Sequence, residues 1–366
     1  MKACLTALFF CIACQFFQAL AAEPTDANRK LFQETKVMAE QGDVEVQYNL
    51  GVLYRDGRGV PTDAEEAMKW FRKAATEGLA EALHNIGVMY RDGVGVAKNE
   101  VEGMKWLRKA SEKGFAQAQY NLGVAYASGQ GVQKDDAEAV KWLRSAAGQG
   151  FAPGQYNLGV MYLKGLGVLK DDTEAVKWLR KAADQGLPRG QYHLGLMYAK
   201  GRGVAKDEVE SVRWFRKGAD QGDADAQFSL GVAYAGGLGV PADQREATGW
   251  YQKSARQAHV MAQYNLGLLY ANSVGALRDD SEAVKWYQKA ADQGFDGAQN
   301  NLGFMYANGR GVPRDVAVAY KWFLLAAAQG NENARKGFVT IDSRMTAEQR
   351  EEGQRLLREF QSQKPR

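Results

Sequence analysis

Metal sites and catalytic dyads need histidine, cysteine or carboxylate side chains held close together. In this sequence the histidines and cysteines are too few and too unfavourably placed to form such a site. Only three histidines occur: His84, His193 and His259. They take different places in a repeating pattern described below, and about 10 Å between stacked helix pairs would leave His84 and His193 roughly 30 Å apart. The three cysteines lie in the first 22 residues: Cys4, Cys11 and Cys14. We therefore predict no catalytic residue, no metal site and no cofactor.

The glycine and carboxylate motifs have structural explanations. Motifs such as Gly93-Val94-Gly95 follow a predicted helix rather than a strand, and they lack the later glycines or lysine of a phosphate-binding loop. We interpret them as helix terminators. Most carboxylates fall at predicted helix starts, where they stabilise the helix dipole.

The first 22 residues have the character of a signal peptide. An apolar stretch runs to Leu20, and Ala19-Leu20-Ala21 supplies the small residues that signal peptidase requires. We expect cleavage near Ala21/Ala22, which gives a periplasmic or secreted protein with no membrane insertion after cleavage. A retained membrane anchor is the alternative. Cleavage would also remove every cysteine, and with them any disulfide or reactive thiolate.

The charge balance argues against a nucleic-acid partner. Forty-seven basic residues face 43 acidic ones, for a net charge of +4, and no basic run exceeds two residues. Nucleic-acid binding requires basic residues clustered on one face. We therefore predict no nucleic-acid partner.

Internal repetition organises the chain. All eight tryptophans are spaced 36 residues apart: Trp70, Trp106, Trp142, Trp178, Trp214, Trp250, Trp286 and Trp322. A Leu-Gly pair recurs in the same register, with Ile86-Gly87 in one position, and a tyrosine follows each pair. Three phased series without an insertion indicate a repeat protein.

Each repeat predicts two helices. Ala118, Leu122 and Tyr126 share one face of a first helix, which ends at Gly129. Asp135 and Glu138 then match the capping box that begins a second helix. One such pair exposes its apolar face, and stacked neighbours cover it.

The sequence therefore predicts an all-α solenoid of about eight 36-residue helix-turn-helix repeats with capping helices. Residues 1–22 are the signal peptide and 23–42 an N-terminal capping helix. The repeats are 43–78, 79–114, 115–150, 151–186, 187–222, 223–258, 259–294 and 295–330. Residues 331–366 form a C-terminal half-repeat and capping helix.

The repeat resembles the Sel1-like repeat family, a relative of the tetratricopeptide repeat. The match is to the pattern A-x-A-Q-Y-N-L-G-x-x-Y-x-x-G-x-G-V followed by an acidic cap, Ala, Trp and Ala-Ala, and residues 116–150 reproduce nearly all of it. The resemblance implies a right-handed superhelix of helix pairs that assembles protein complexes, as in exported bacterial members. Relatives with a disulfide in each repeat have been linked to β-lactam chemistry, but this sequence lacks those cysteines.

The far face of the first helices is the candidate binding surface. With 100° per residue, Tyr120 and Val124 fall opposite the buried set, on a face that would be polar if it met only water. By the resemblance to tetratricopeptide proteins, this face lines a concave groove in which asparagines hold a peptide. The predicted partner-binding residues are Tyr48, Asn49, Asn85, Tyr120, Asn121, Val124, Tyr156, Asn157, Lys164, Tyr192, Lys200, Tyr264, Asn265 and Asn301. The alternative is that the tyrosines form core between adjacent repeats.

Charge along the rim of the groove suggests the chemistry of a partner. Early repeats carry Arg-Asp pairs, the middle repeats carry Lys164 and Lys200, and the late repeats carry asparagine. The two lysines suit an acidic segment of a partner, although lysines that only meet solvent would look the same.

These features predict a non-catalytic protein-protein interaction scaffold or adaptor, monomeric, in the bacterial envelope or secreted. It would bind a partner protein or peptide in the concave groove. The alternatives are a cell-wall or β-lactam hydrolase, or a host-directed virulence factor that binds a host protein.

Overall fold

The computed structural model describes residues 25–272 and 278–362. The predicted signal peptide and the three cysteines lie outside these residues. All regular structure within them is α-helical, so the predicted all-α helix-turn-helix repeat fold is confirmed. None of the described helices combines the length and apolar character needed to cross a bilayer.

The nineteen helices of the described residues are α1 (Asp26–Glu40), α2 (Val44–Asp56), α3 (Ala64–Thr76), α4 (Ala80–Asp92), α5 (Glu100–Glu112), α6 (Ala116–Ser128), α7 (Asp136–Gly148), α8 (Ala152–Lys164), α9 (Asp172–Asp184), α10 (Pro188–Lys200), α11 (Glu208–Asp220), α12 (Ala224–Gly236), α13 (Gln244–Arg256), α14 (Val260–Asn272), α15 (Asp280–Asp292), α16 (Asp296–Asn308), α17 (Val316–Ala328), α18 (Glu332–Asp342) and α19 (Ala347–Ser362). They form two compact units. The first holds the described residues up to Gly190 together with Gly201–Ala205. The second holds Gln191–Lys200 and the described residues from Lys206 onward.

The Leu-Gly pair sets the distance between the two helices of a repeat. In the first unit, Leu158 is fully buried on α8 and Gly159 faces α9. A Cβ at Gly159 would lie only 2.9 Å from Leu179 Cγ and 3.2 Å from the Ala175 carbonyl oxygen. The glycine is therefore required because the two helices approach too closely for a larger residue.

The start of each second helix differs in one respect from the predicted capping box. Asp135 caps α7, and its side chain accepts hydrogen bonds from the backbone N–H groups of Ala137 and Glu138. However, the Asp135 N–H donates to the Tyr126 carbonyl across the interhelical turn, at 3.0 Å. Glu138 therefore does not accept the Asp135 N–H; it pairs with Lys141 and accepts from the Trp142 Nε1–H instead. The box is half formed.

A ladder of glutamines joins successive repeats. Gln155 on α8 donates through Nε2 to the Ala147 carbonyl at the end of α7. Gln185, one residue after α9, donates to Gln155 Oε1 at 2.7 Å. The same Gln–Gln bond recurs at Gln149–Gln119, Gln221–Gln191, Gln257–Gln227, Gln293–Gln263 and Gln329–Gln299. Each bond satisfies a buried amide, so the ladder fixes how one repeat follows the next.

Candidate functional site

The tyrosines of the predicted groove pack against the core. Tyr120 is 4% exposed and lies edge-on to Phe151 of the following repeat, with ring centroids 5.4 Å apart. Tyr156 is buried as well. Tyr264 lies between Tyr287 and Phe295. These are the contacts of the core alternative, and they leave little of each ring for a partner.

The remaining aromatic and aliphatic residues of the predicted groove are less deeply buried than Tyr120 and Tyr156. Tyr48 packs on Phe71, and burial raises the pKa of the Tyr48 hydroxyl. Tyr192 packs on Phe215. Val124 is half-buried. A role for these residues in partner binding remains a prediction.

The predicted asparagines do not form one uniform ladder. Asn49 is exposed, whereas Asn157 is 3% exposed and its buried Nδ2 makes no hydrogen bond within the described residues. Asn121 is within hydrogen-bonding distance of His84, at 2.9 Å between Nδ2 and Nε2. The others lie beside tyrosine hydroxyls: Asn85 beside Tyr48, Asn265 beside Tyr251 and Asn301 beside Tyr287. Of the six predicted asparagines, Asn49 is thus the one most open to solvent.

The residue six places after the leucine of each Leu-Gly pair is exposed in every repeat. We call these the rim positions: Asp56, Asp92, Ser128, Lys164, Lys200, Gly236, Asn272 and Asn308. The early carboxylates are neutralised, because Arg55 and Arg91 each hold the adjacent aspartate with two hydrogen bonds. Lys164 and Lys200 make no ion pair within the described residues. The two lysines therefore keep their charge free for a partner.

The histidines occupy structural positions. Desolvation of the His84 ring, assisted by Arg91 and Arg55, lowers its pKa to about 4, so the ring is neutral at pH 7. His259 Nδ1 accepts from the Ala262 N–H at the start of α14, and its Nε2 lies 3.3 Å from Asp225. No group of three or more His, Cys, Asp or Glu side chains among the described residues could hold a metal ion.

Sequence reasoning missed a cleft in the second unit. It has a volume of about 740 Å³ and lies between the ends of α16 and α18 and the start of α17. The C-terminal half-repeat lacks the G-x-G-V loop that seven of the eight repeats carry, and this difference is visible in the sequence.

Comparison with known proteins identifies the repeat. The Sel1 repeat profile matches residues 44–79, 80–115, 116–151, 152–187, 188–223, 224–259, 260–295 and 297–331. A Sel1 repeat protein from Oxalobacter formigenes is 31% identical, with a TM-score of 0.65, over 92% of this chain and 99% of that one. A protective antigen present in uropathogenic Escherichia coli strains, displaying an SLR fold, is 28% identical, with a TM-score of 0.58, over 92% and 98%. Among curated proteins, none matches this sequence.

Proposed function

The chain belongs to the Sel1 repeat family, whose members generally mediate protein-protein interaction, and from this premise we propose that it is a non-catalytic scaffold that binds a partner protein. Within each unit, the partner is bound on the first helices, at the rim positions.

One observation carries the proposal. The positions that repeat faithfully are those used for packing: the Leu-Gly pair, the capping aspartate or asparagine and most of the glutamine ladder. The rim positions are exposed throughout, yet their residues change along the chain from carboxylate to hydroxyl, ammonium, glycine and amide. Packing does not constrain the residue type at the rim positions, so these residues can differ between repeats to match the surface of a partner.

The chemistry of the rim favours a partner with an acidic segment. Lys164 and Lys200 are exposed cations that pair with no carboxylate in the described part of the chain, and an ammonium group gains most from an ion pair when it is not already neutralised. The asparagines nearer the C-terminus, Asn272 and Asn308, would form hydrogen bonds with neutral polar groups of the partner. Asn308 already donates to the Phe304 carbonyl.

Affinity capture tests the proposal with a matched control. Immobilised mature protein is incubated with a cell-envelope extract, beside a Lys164→Glu/Lys200→Glu variant and a Lys141→Glu/Lys177→Glu variant. Both variants change the net charge equally, but Lys141 and Lys177 lie on second helices. We expect the rim variant to lose proteins that the wild type and the control retain. Identical captured sets for all three proteins would contradict the proposal.

We propose in addition that the protein is exported and monomeric. The sequence of residues 1–22 supports export, with cleavage near Ala21/Ala22. The intact mass of protein recovered from the periplasm or medium tests it, since a retained leader would leave the full-length mass. Light scattering on the purified chain tests the monomer, and a mass twice that of the chain would contradict it.

A further inference from the structure

The cleft in the second unit exists because the last helix pair lacks a glycine loop. In the preceding repeat, Gly311 packs against the backbone of Asp280 at the start of α15, and Arg310 pairs with the same aspartate at 2.7 Å. The equivalent position on α17 is Val316, 36 residues later. No glycine loop covers Val316, because the chain after α18 turns directly into α19. Val316 lines the cleft instead.

The walls of the cleft are partly apolar. Phe304 is 41% exposed, although its ring packs edge-on against the buried Phe323 at 5.0 Å between centroids. Ile341 and the largely buried Met345 also line the cleft, from the end of α18 and the turn after it. An exposed phenyl ring beside further apolar side chains offers surface that a partner's apolar side chain would remove from water.

The charge around this surface is positive. Arg314, Lys336 and Arg344 line the cleft, and none of them makes an ion pair within the described residues. Asp315 is the one carboxylate of the lining, and it is occupied in capping α17, where it accepts from the Ala317 and Val318 N–H groups. Three exposed cations therefore surround an apolar surface without internal neutralisation.

We infer that this cleft binds an acidic segment of a partner polypeptide that carries a bulky apolar side chain. The inference rests on the proposed scaffold function and adds a second site, which shares Asn308 with the rim positions but has neither Lys164 nor Lys200 in its lining. The apolar side chain packs against Phe304 and Ile341, while flanking carboxylates pair with the cations. A volume of about 740 Å³ lies within the range of small-ligand pockets and accommodates a few side chains rather than a folded domain.

Fluorescence anisotropy with defined peptides tests the site. The probe is a fluorescein-labelled peptide, Gly-Asp-Glu-Leu-Phe-Glu-Asp-Gly, and the protein is the full mature chain. One control peptide replaces Leu-Phe by Ser-Ser, and the other replaces the four acids by their amides. We expect the probe to bind with a Kd of about 100 μM or tighter. Each control peptide should bind at least about ten-fold more weakly, a loss of about 1.4 kcal/mol.

Charge-reversal variants locate the binding. Lys336→Glu/Arg344→Glu should weaken the probe at least about ten-fold. Arg256→Glu/Arg358→Glu makes the same change in net charge outside the lining and should leave affinity unchanged. Absence of binding to the wild type, or equal weakening by both variants, overturns the inference. Equal competition by a single-stranded oligonucleotide, which lacks the apolar side chain, also overturns it.

These outcomes are separable from those of the scaffold proposal. The peptide assay depends on the cleft and not on Lys164 or Lys200. If the peptide fails while envelope capture still depends on the rim lysines, the cleft assignment is wrong and the scaffold proposal stands. If the peptide binds as expected while capture is indifferent to the rim, the rim assignment is wrong and the cleft remains.

Discussion

Gln185 donates a hydrogen bond from Nε2 to Oε1 of Gln155, at 2.7 Å and thirty residues away in sequence. Gln155 is 4% exposed and in turn donates to the Ala147 carbonyl. The two side chains therefore link the end of α7 in one repeat to α8 in the next repeat, and α8 to the residue that follows α9. A buried amide is costly unless it is hydrogen-bonded, so this geometry tolerates few alternatives.

Replacing the central member of this link should destabilise the first unit. Gln155→Leu removes the hydrogen bonds that Gln155 makes with Gln185 Nε2 and with the Ala147 carbonyl, which still accepts from the Gly150 N–H. We expect a loss of about 1–3 kcal/mol, from two hydrogen bonds that each contribute about 0.5–1.5 kcal/mol. Urea denaturation followed by circular dichroism measures it as a lower midpoint.

An exposed glutamine provides the control for this prediction. Gln130 also reaches across repeats, to Glu100 at 3.2 Å, but both side chains meet solvent. Gln130→Leu should change the free energy of unfolding by less than about 0.5 kcal/mol. Equal effects of the two substitutions would mean that the ladder contributes nothing through burial.

Substituting alanine for either of two glycines in neighbouring helices should change the stability of the protein in opposite directions. At Gly159 the new Cβ would meet Leu179 at 2.9 Å, so Gly159→Ala should cost roughly 1–3 kcal/mol through overpacking. At Gly148, near the end of α7, a Cβ would meet nothing within 4 Å. Gly148→Ala should therefore stabilise by about 0.4–1 kcal/mol. Thermal unfolding of both variants checks the opposite signs, and a stabilising Gly159→Ala would contradict the close helix contact.

The repeats and their helices could be predicted from sequence because their signals are local. The Leu-Gly pair, the capping aspartate and the terminal glycines act within one helix or one turn, so periodicity alone places them. The helix caps observed at Asp135 and Gly129 are two such cases. The family resemblance follows from the same residues.

The side-chain contacts between repeats could not be predicted in this way. The helical wheel places Tyr120 on a far face, but whether that face meets solvent depends on Phe151, 31 residues later. The pairing of Gln155 with Gln185 likewise requires the stacking geometry. Glu138 was expected to complete a capping box, yet the Tyr126 carbonyl takes the required N–H. The sequence shows that the last helix pair lacks a G-x-G-V loop, but the cleft itself depends on how α16, α17 and α18 pack around the missing loop.

Ala258 occupies a position after the second helix of its repeat that is glycine in the other repeats. Ala258 has a φ of 62°, in the left-handed region, where the equivalent Gly222 and Gly294 also lie. A Cβ in this conformation costs roughly 1–2 kcal/mol. Replacing Ala258 by glycine would remove this cost, but about 0.4–1 kcal/mol would be lost again because glycine has greater conformational freedom in the unfolded chain. Ala258→Gly should thus raise the free energy of unfolding by up to about 1.6 kcal/mol. Chemical denaturation of the second unit's helices reports it, and a lower midpoint would contradict the assigned strain.

His84 should make stability depend on pH in the mildly acidic range. Its pKa falls from 6.5 to about 4 in the folded protein, chiefly because the ring is desolvated against its neighbours. Folding therefore favours the neutral form. The contribution to stability is complete above pH 6.5 and is lost as pH falls towards 4, with a slope of up to about 1.4 kcal/mol per pH unit.

Proton NMR can observe this directly, because the chain has only three histidines. The His84 ring signal, assigned by its absence from a His84→Phe variant, should not titrate until the pH is below about 5. Phenylalanine is a suitable replacement because Phe228 occupies the equivalent position in a later repeat. Urea midpoints at pH 7 and pH 4.5 should differ less for the variant than for the wild type. A His84 signal that titrates near pH 6.5 would show that the ring remains hydrated, and the buried contact with Asn121 would then be wrong.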